Sequence, residues 1–197
     1  MAILLDNFVL SNIINGRRTL LWQTEISLES SSVFRKEHPM SKEEVLQNII
    51  KINRACFNPV KFIGSGWSII AEETDTRSVA LTQLDISKIQ FVTMLSDDDF
   101  SVNGEENLKR LKSSDYIRLD ANIFLTLWEN QHLIPEWLKE KVNGNTVFIY
   151  FDGMVLRDSG GRRCVLLLYW GGLAWDWDVR LLVSDWGDSD LSAVLKA

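Results

Sequence analysis

Five aspartates crowd the end of the chain: Asp176, Asp178, Asp185, Asp188 and Asp190. Carboxylates at this density invite a hard cation such as calcium. Their spacing does not follow an EF-hand loop and no bidentate Glu comes after them, so no metal site is assigned. Among them stand Trp170, Trp175, Trp177 and Trp186, half of the chain's eight Trp. Indoles in such a setting stack on sugar rings, cover a sheet as scaffold, or frame a ligand surface. Rigid aromatics interleaved with small polar residues are also the composition of a binding surface. Other chemistry is sparse. His38 lies before Pro39 and His132 lies between two expected helices, neither in a nucleophile motif. No G-x-S-x-G occurs, and Gly64-Ser65-Gly66 lacks the spacing of a phosphate loop. The expectation is a protein with no catalytic residues and no cofactor.

In an extended strand, alternate residues face opposite ways. Trp175 and Trp177 then share one face, while Asp176 and Asp178 share the other. One pair is scaffold and the other is surface.

The elements that must hold this tail form one α+β unit over residues 1–197, with a β-rich final third. Strands are expected at 3–10 and 18–28 around an Asn15-Gly16 turn, followed by a loop to Pro39. Ser41 and Glu44 form a capping box, which predicts a helix over about 42–55 stopped by Asn58-Pro59. Residues 60–73 read as a strand broken at Gly64-Ser65-Gly66. Residues 78–95 fit a short helix or strands. A charged helix follows from Gly104 to Lys112. Asp120 caps a helix from Ala121 to about Gln131, and Pro135 opens a short one over 136–141 that Asn143-Gly144 closes. Strands then cover 147–151, 154–156 and 164–169, with Asp152-Gly153 a turn or bulge and residues 158–161 a hairpin loop. Further strands cover 175–183 and 192–195.

Apolar residues are 46% and charged residues 24% of the 197, close to the globular average. The net charge of −6 lacks the basic footprint of nucleic-acid binding and disfavours anionic membranes. Cys56 and Cys164 form no C-x-x-C motif and read as two reduced thiols. The N-terminus has no signal-peptide pattern and no apolar run reaches membrane-spanning length. The expected location is cytoplasmic, and the expected partner is a protein or another macromolecule.

Several segments resemble a family of bacterial variable proteins, the targets of diversity-generating retroelements. The resemblance rests on Asp120-Ala121, on Phe124-Leu125-Thr126-Leu127-Trp128-Glu129-Asn130-Gln131-His132-Leu133-Ile134-Pro135-Glu136 and on Asn143-Gly144-Asn145-Thr146. It extends to Phe151-Asp152-Gly153, Val155-Leu156-Arg157 and Leu191-Ser192-Ala193-Val194-Leu195, and covers about residues 60–197. Two departures stand out: Leu191 occupies a position where the family has Pro, and Lys196-Ala197 differs from its usual ending.

The resemblance implies that a reverse transcriptase copies a template repeat with errors at adenines and that the copy replaces the end of the gene. Asn codons are the main targets, and they convert to Asp, Ser, Gly, Tyr, Arg, Val, Leu or Ala without yielding a stop. The Trp codon contains no adenine. No Asn follows Asn145 in this chain. The implied variable region is about 164–190. Its implied ligand-binding positions are Tyr169, Gly171, Asp176, Asp178, Val179, Arg180, Ser184, Asp185, Gly187, Asp188, Ser189 and Asp190, with Cys164 a further candidate. Trp170, Trp175, Trp177 and Trp186 would be constant scaffold. The implied fold is C-type-lectin-like, and the ligand would be one sample from a large repertoire. Two other functions fit the residues: a carbohydrate-binding module using Trp stacking, and an acidic immunity or antitoxin-type protein that masks a basic partner.

Overall fold

The computed structural model describes residues 48–197, all within a unit spanning Met40–Ala197. The expected strands at 3–10 and 18–28, the Asn15-Gly16 turn, the loop to Pro39 and the Ser41 capping box lie outside these residues. The expectation of one unit over residues 1–197 also extends to residues outside those described.

Residues 48–55 do not form the helix expected over about 42–55. Ile49–Lys51 is a strand, β1, antiparallel to β3, Gln83–Asp85, with Ile50 opposite Leu84. Two adjacent Ile suit a pleated surface, and a partner strand outweighs the weak helical spacing. Asn58-Pro59 begins a helix instead of ending one. In α1, Pro59–Phe62, the Asn58 side chain accepts from the Lys61 amide, and Pro occupies a position whose amide needs no partner. The strand expected over 60–73 shrinks to β2, Ser68–Ile69. The ambiguous stretch resolves into α2, Thr76–Val79, then β3, a 3-10 turn at Ile86–Lys88 and β4, Gln90–Val92.

Capping residues place the next helices. β5, Val102–Asn103, leads into α3, Gly104–Lys112, where the Asn103 side chain accepts from the Glu106 amide at 2.9 Å. Glu105 and Glu106 open α3, and Lys109, Arg110 and Lys112 close it, which matches the helix dipole. β6, Tyr116–Arg118, precedes α4, Ala121–Glu129. Asp120 caps α4 by accepting from the Asn122 and Ile123 amides, and is itself held by Arg54 at 2.6 Å and the Ser78 hydroxyl at 2.8 Å. After Pro135 comes a 3-10 turn, Glu136–Lys139, shorter than the helix expected there. Asn143-Gly144 closes no helix. Both residues adopt positive φ, 49° and 81°, and they turn the chain between β7, Lys141–Val142, and β8, Asn145–Thr146. That is the hairpin geometry for which Asn-Gly is suited.

The final third is strand-rich. β9 is Phe148–Arg157, β10 is Arg163–Trp170, β11 is Trp175–Leu181, β12 is Asp185–Trp186 and β13 is Asp190–Lys196. The main sheet runs β11-β10-β9-β13-β4, with β2 paired to β9 and β6 to β13. β13 lies parallel to β9, and the other pairs are antiparallel. The register breaks between Leu156, opposite Cys164, and Phe151, opposite Leu166. There the Gly153 amide leaves β10 and donates to the Leu119 carbonyl at 2.9 Å, so Asp152-Gly153 forms a bulge rather than a turn. The fold is mixed α/β with a β-rich C-terminus.

The sheet carries a core on each face. On one, α4 supplies Ile123, Phe124 and Leu127 against Ile149, Phe151, Leu166 and Leu168. On the other, Leu108 of α3 packs with Tyr150, Val155, Val165, Leu167, Leu182 and Trp186.

Candidate binding surface

β11 divides the candidate residues by parity. Trp175 and Trp177 belong to the α4 side of the sheet. The Trp177 ring lies 4.6 Å from Phe62 and 6.4 Å from Phe124, centre to centre. Trp175 packs edge-to-face with half-buried Trp170 at 5.8 Å. On the opposite face, Asp176, Asp178 and Arg180 stand across from Tyr169, Leu167 and Val165 of β10. The two aspartates are exposed and Arg180 is half-buried.

Tyr169 and Asp176 are linked directly. The phenol donates to the Asp176 carboxylate at 3.2 Å. Partial burial, then the Asp176 carboxylate, push the phenol's pKa up and keep it a donor. Phe148 flanks Tyr169 at 5.5 Å. Arg180 turns toward the following loop and donates to the Asp185 carbonyl at 3.3 Å. The face therefore combines acidic and aromatic side chains with the Arg180 guanidinium.

That loop is held by its backbone. The Leu182 amide donates to the Arg163 carbonyl, and Leu182 and Ser184 carbonyls accept from the first amides of α3, those of Glu105 at 2.9 Å and Gly104 at 3.0 Å. These amides have no partner inside their own helix. β12 adds a two-residue pairing with β5. Trp186 locks the loop from beneath, fully buried and stacked on Tyr150 at 4.0 Å and 16°. None of these contacts uses the side chains of Val183, Ser184 or Asp185. Asp188 is exposed and accepts from the Asn143 side chain.

Not every candidate joins this surface. Val179 shares the parity of Trp175 and Trp177 and packs on the core. Ser189 is buried, and its carbonyl accepts from the Phe148 amide. Asp190 is half-buried and accepts from the Tyr150 hydroxyl and the Gly187 amide, each at 2.7 Å. Burial, then Asp190, push the Tyr150 pKa upward. Cys164 is buried among the strands, and burial pushes its thiol up to about 11. Gly171 and Gly187 are open to side chains. A Cβ would come no nearer than 3.4 Å to another atom at Gly171 and 3.8 Å at Gly187.

The aspartates do not converge. Among the described residues no group of three or more His, Cys, Asp or Glu is placed to hold a metal ion. Three residues outside the expected set adjoin the surface: Phe148, Asn143 and Phe100. Phe100 is 98% exposed, and its carbonyl is a close neighbour of Gly187. Alternation along 147–151 could have flagged Phe148. Phe100 and Asn143 reach the tail only through long-range pairing that has no local signal. Among the described residues no helix is long and apolar enough to cross a membrane. No protein-family model, curated protein or solved structure matches the chain.

Proposed function

We propose that this is a non-enzymatic ligand-binding protein whose C-terminal surface is diversified by adenine-directed mutagenic copying, on a C-type-lectin-like scaffold. One observation carries the reading. Tyr169, Asp176, Asp178 and Arg180 share one sheet face, next to the loop bearing Ser184, Asp185 and Asp188, while Trp175, Trp177 and Trp186 are packed inside. The loop's hold on α3 is made by main-chain atoms, so it survives changes in the loop's side chains. A surface built this way tolerates new residues and hence new ligands. Val179, Ser189 and Asp190 then affect packing rather than contact. The burial of Trp175 and Trp186 and the packing of Trp177 disfavour a sugar platform built on these rings.

The DNA around the gene tests the proposal. A reverse-transcriptase gene and a near-identical template repeat are expected, with adenines in the codons for Tyr169, Asp176, Asp178, Arg180 and Asp185. A flanking region without such a repeat sinks it, and a neighbouring toxin gene would favour an immunity or antitoxin-type protein.

A further inference from the structure

The 3-10 turn Glu136–Lys139 and the β7–β8 hairpin form one wall of a groove of about 540 Å³, and residues 169–172 form the other. That volume suits a small molecule. Phe148, Tyr169 and Trp170 give the groove aromatic walls. Its charged lining residues are Lys139 and Lys141, with no carboxylate among the lining residues, in a chain of net charge −6.

Lys139 is already poised as an anion receptor. Its ammonium lies 4.6 Å from the centre of the Trp170 ring, within cation–π range. It also pairs with Glu136 at 2.8 Å, but the Glu136 side chain is 83% exposed. Such a solvent-facing pair is weak and readily exchanged for another anion.

We propose that this groove binds a small ligand with a flat apolar body and one anionic group, of which an aromatic carboxylate is the simplest form. The body lies along the groove's aromatic lining, and the anion faces Lys139 and Lys141, displacing Glu136. Aromatic area supplies the affinity and the amines set the orientation. Anion recognition in the groove does not require a diversified tail, because Lys139 and Lys141 precede the proposed variable region.

The test titrates the full chain with naphthalene carboxylate, following Trp fluorescence and backbone amide shifts. Saturable binding at millimolar ligand is expected, with shifts centred on Lys141, Gly171 and Gly172. The neutral carboxamide and the Lys139→Gln/Lys141→Gln variant should each bind about tenfold more weakly. Glu136→Gln should bind more tightly. Lys141 and Glu136 are exposed and Lys139 is half-buried, and circular dichroism checks that the fold is retained. Equal binding of acid and amide, unchanged binding by the double variant, or no saturation overturns the proposal.

Discussion

The Asp178 carboxylate accepts a hydrogen bond from the amide of its neighbour Val179 at 2.7 Å. Asp176 does the same for Trp177 at 2.8 Å. The bonds from Leu182 to Arg163 and from Gly171 to Ala174 set the alternation of the β10–β11 ladder. By that alternation the Trp177 and Val179 amides point away from β10, and among the described residues β11 has no second neighbour. An open strand edge is a template for pairing with another chain. Two acidic side chains folded over its amides close that template.

Replacing both aspartates by Ala should therefore expose the edge. The double variant is expected to self-associate with rising concentration in sedimentation velocity, beyond the native chain. Asp176→Asn/Asp178→Asn removes the same charge but keeps an acceptor oxygen, and should behave like the native chain. If the Asn and Ala variants associate equally, charge rather than amide capping keeps the edge clear.

Asp185 and Asp190 lie in the same short segment but have different work. The Asp185 side chain is exposed, whereas Asp190 satisfies the Tyr150 hydroxyl and the Gly187 amide. Asp190→Ala should cost about 1–3 kcal/mol, because it strands a largely buried phenol. Asp185→Ala should stay within about 0.5 kcal/mol. Urea unfolding distinguishes them, and equal losses would remove the proposed boundary between surface and scaffold.

The contrast shows what the sequence carries. Helices α3 and α4 were legible because their signals are local, and Asp120 caps α4 as expected, whereas the Asn103 cap of α3 is visible only in the structure. The parity of Trp175 and Asp176 was legible because strand alternation is local as well. Ile49–Lys51 was not, since its partner lies more than thirty residues away at Gln83–Asp85. The roles of Ser189 and Asp190 were hidden for the same reason. Both depend on the parallel placement of β13 beside β9, and no pattern within the tail announces it.

Glycines give a second test of that boundary. Gly187 can take a Cβ with ordinary contacts, whereas a Cβ at Gly104 would lie 2.8 Å from the buried Trp186 ring and 2.9 Å from the Leu182 carbonyl. Gly187→Ser is expected to leave stability within about 0.5 kcal/mol. Gly104→Ala should cost about 1–3 kcal/mol through overpacking, despite the better helix propensity of Ala. Thermal melts of the two variants decide the matter, and a stabilised Gly104→Ala would show that Trp186 is loosely seated.

Asp152 predicts a pH dependence of stability. Its side chain is fully buried, and neither carboxylate oxygen has a hydrogen-bond partner among the described residues. Burial pushes its pKa up to about 6, against the opposing pull of the nearby Ser192 hydroxyl and then of the Arg118 charge. The unfolded value is about 3.9. The folded chain thus holds this proton more tightly than the unfolded one. The resulting stabilisation is complete below about pH 4 and is lost as pH rises to about 6, a swing on the order of 3 kcal/mol. Asp158 acts in the opposite sense: the Arg162 amide holds its pKa down, so its stabilisation is lost as pH falls through that lowered value. Comparison with Asp152→Asn separates the two effects, because the variant keeps Asp158. Asp152→Asn should be more stable than the native chain at pH 7, with the gap closing toward pH 4. Parallel stability curves across that range would mean that Asp152 carries its charge inside the fold at no cost, which an unpaired buried carboxylate should not do.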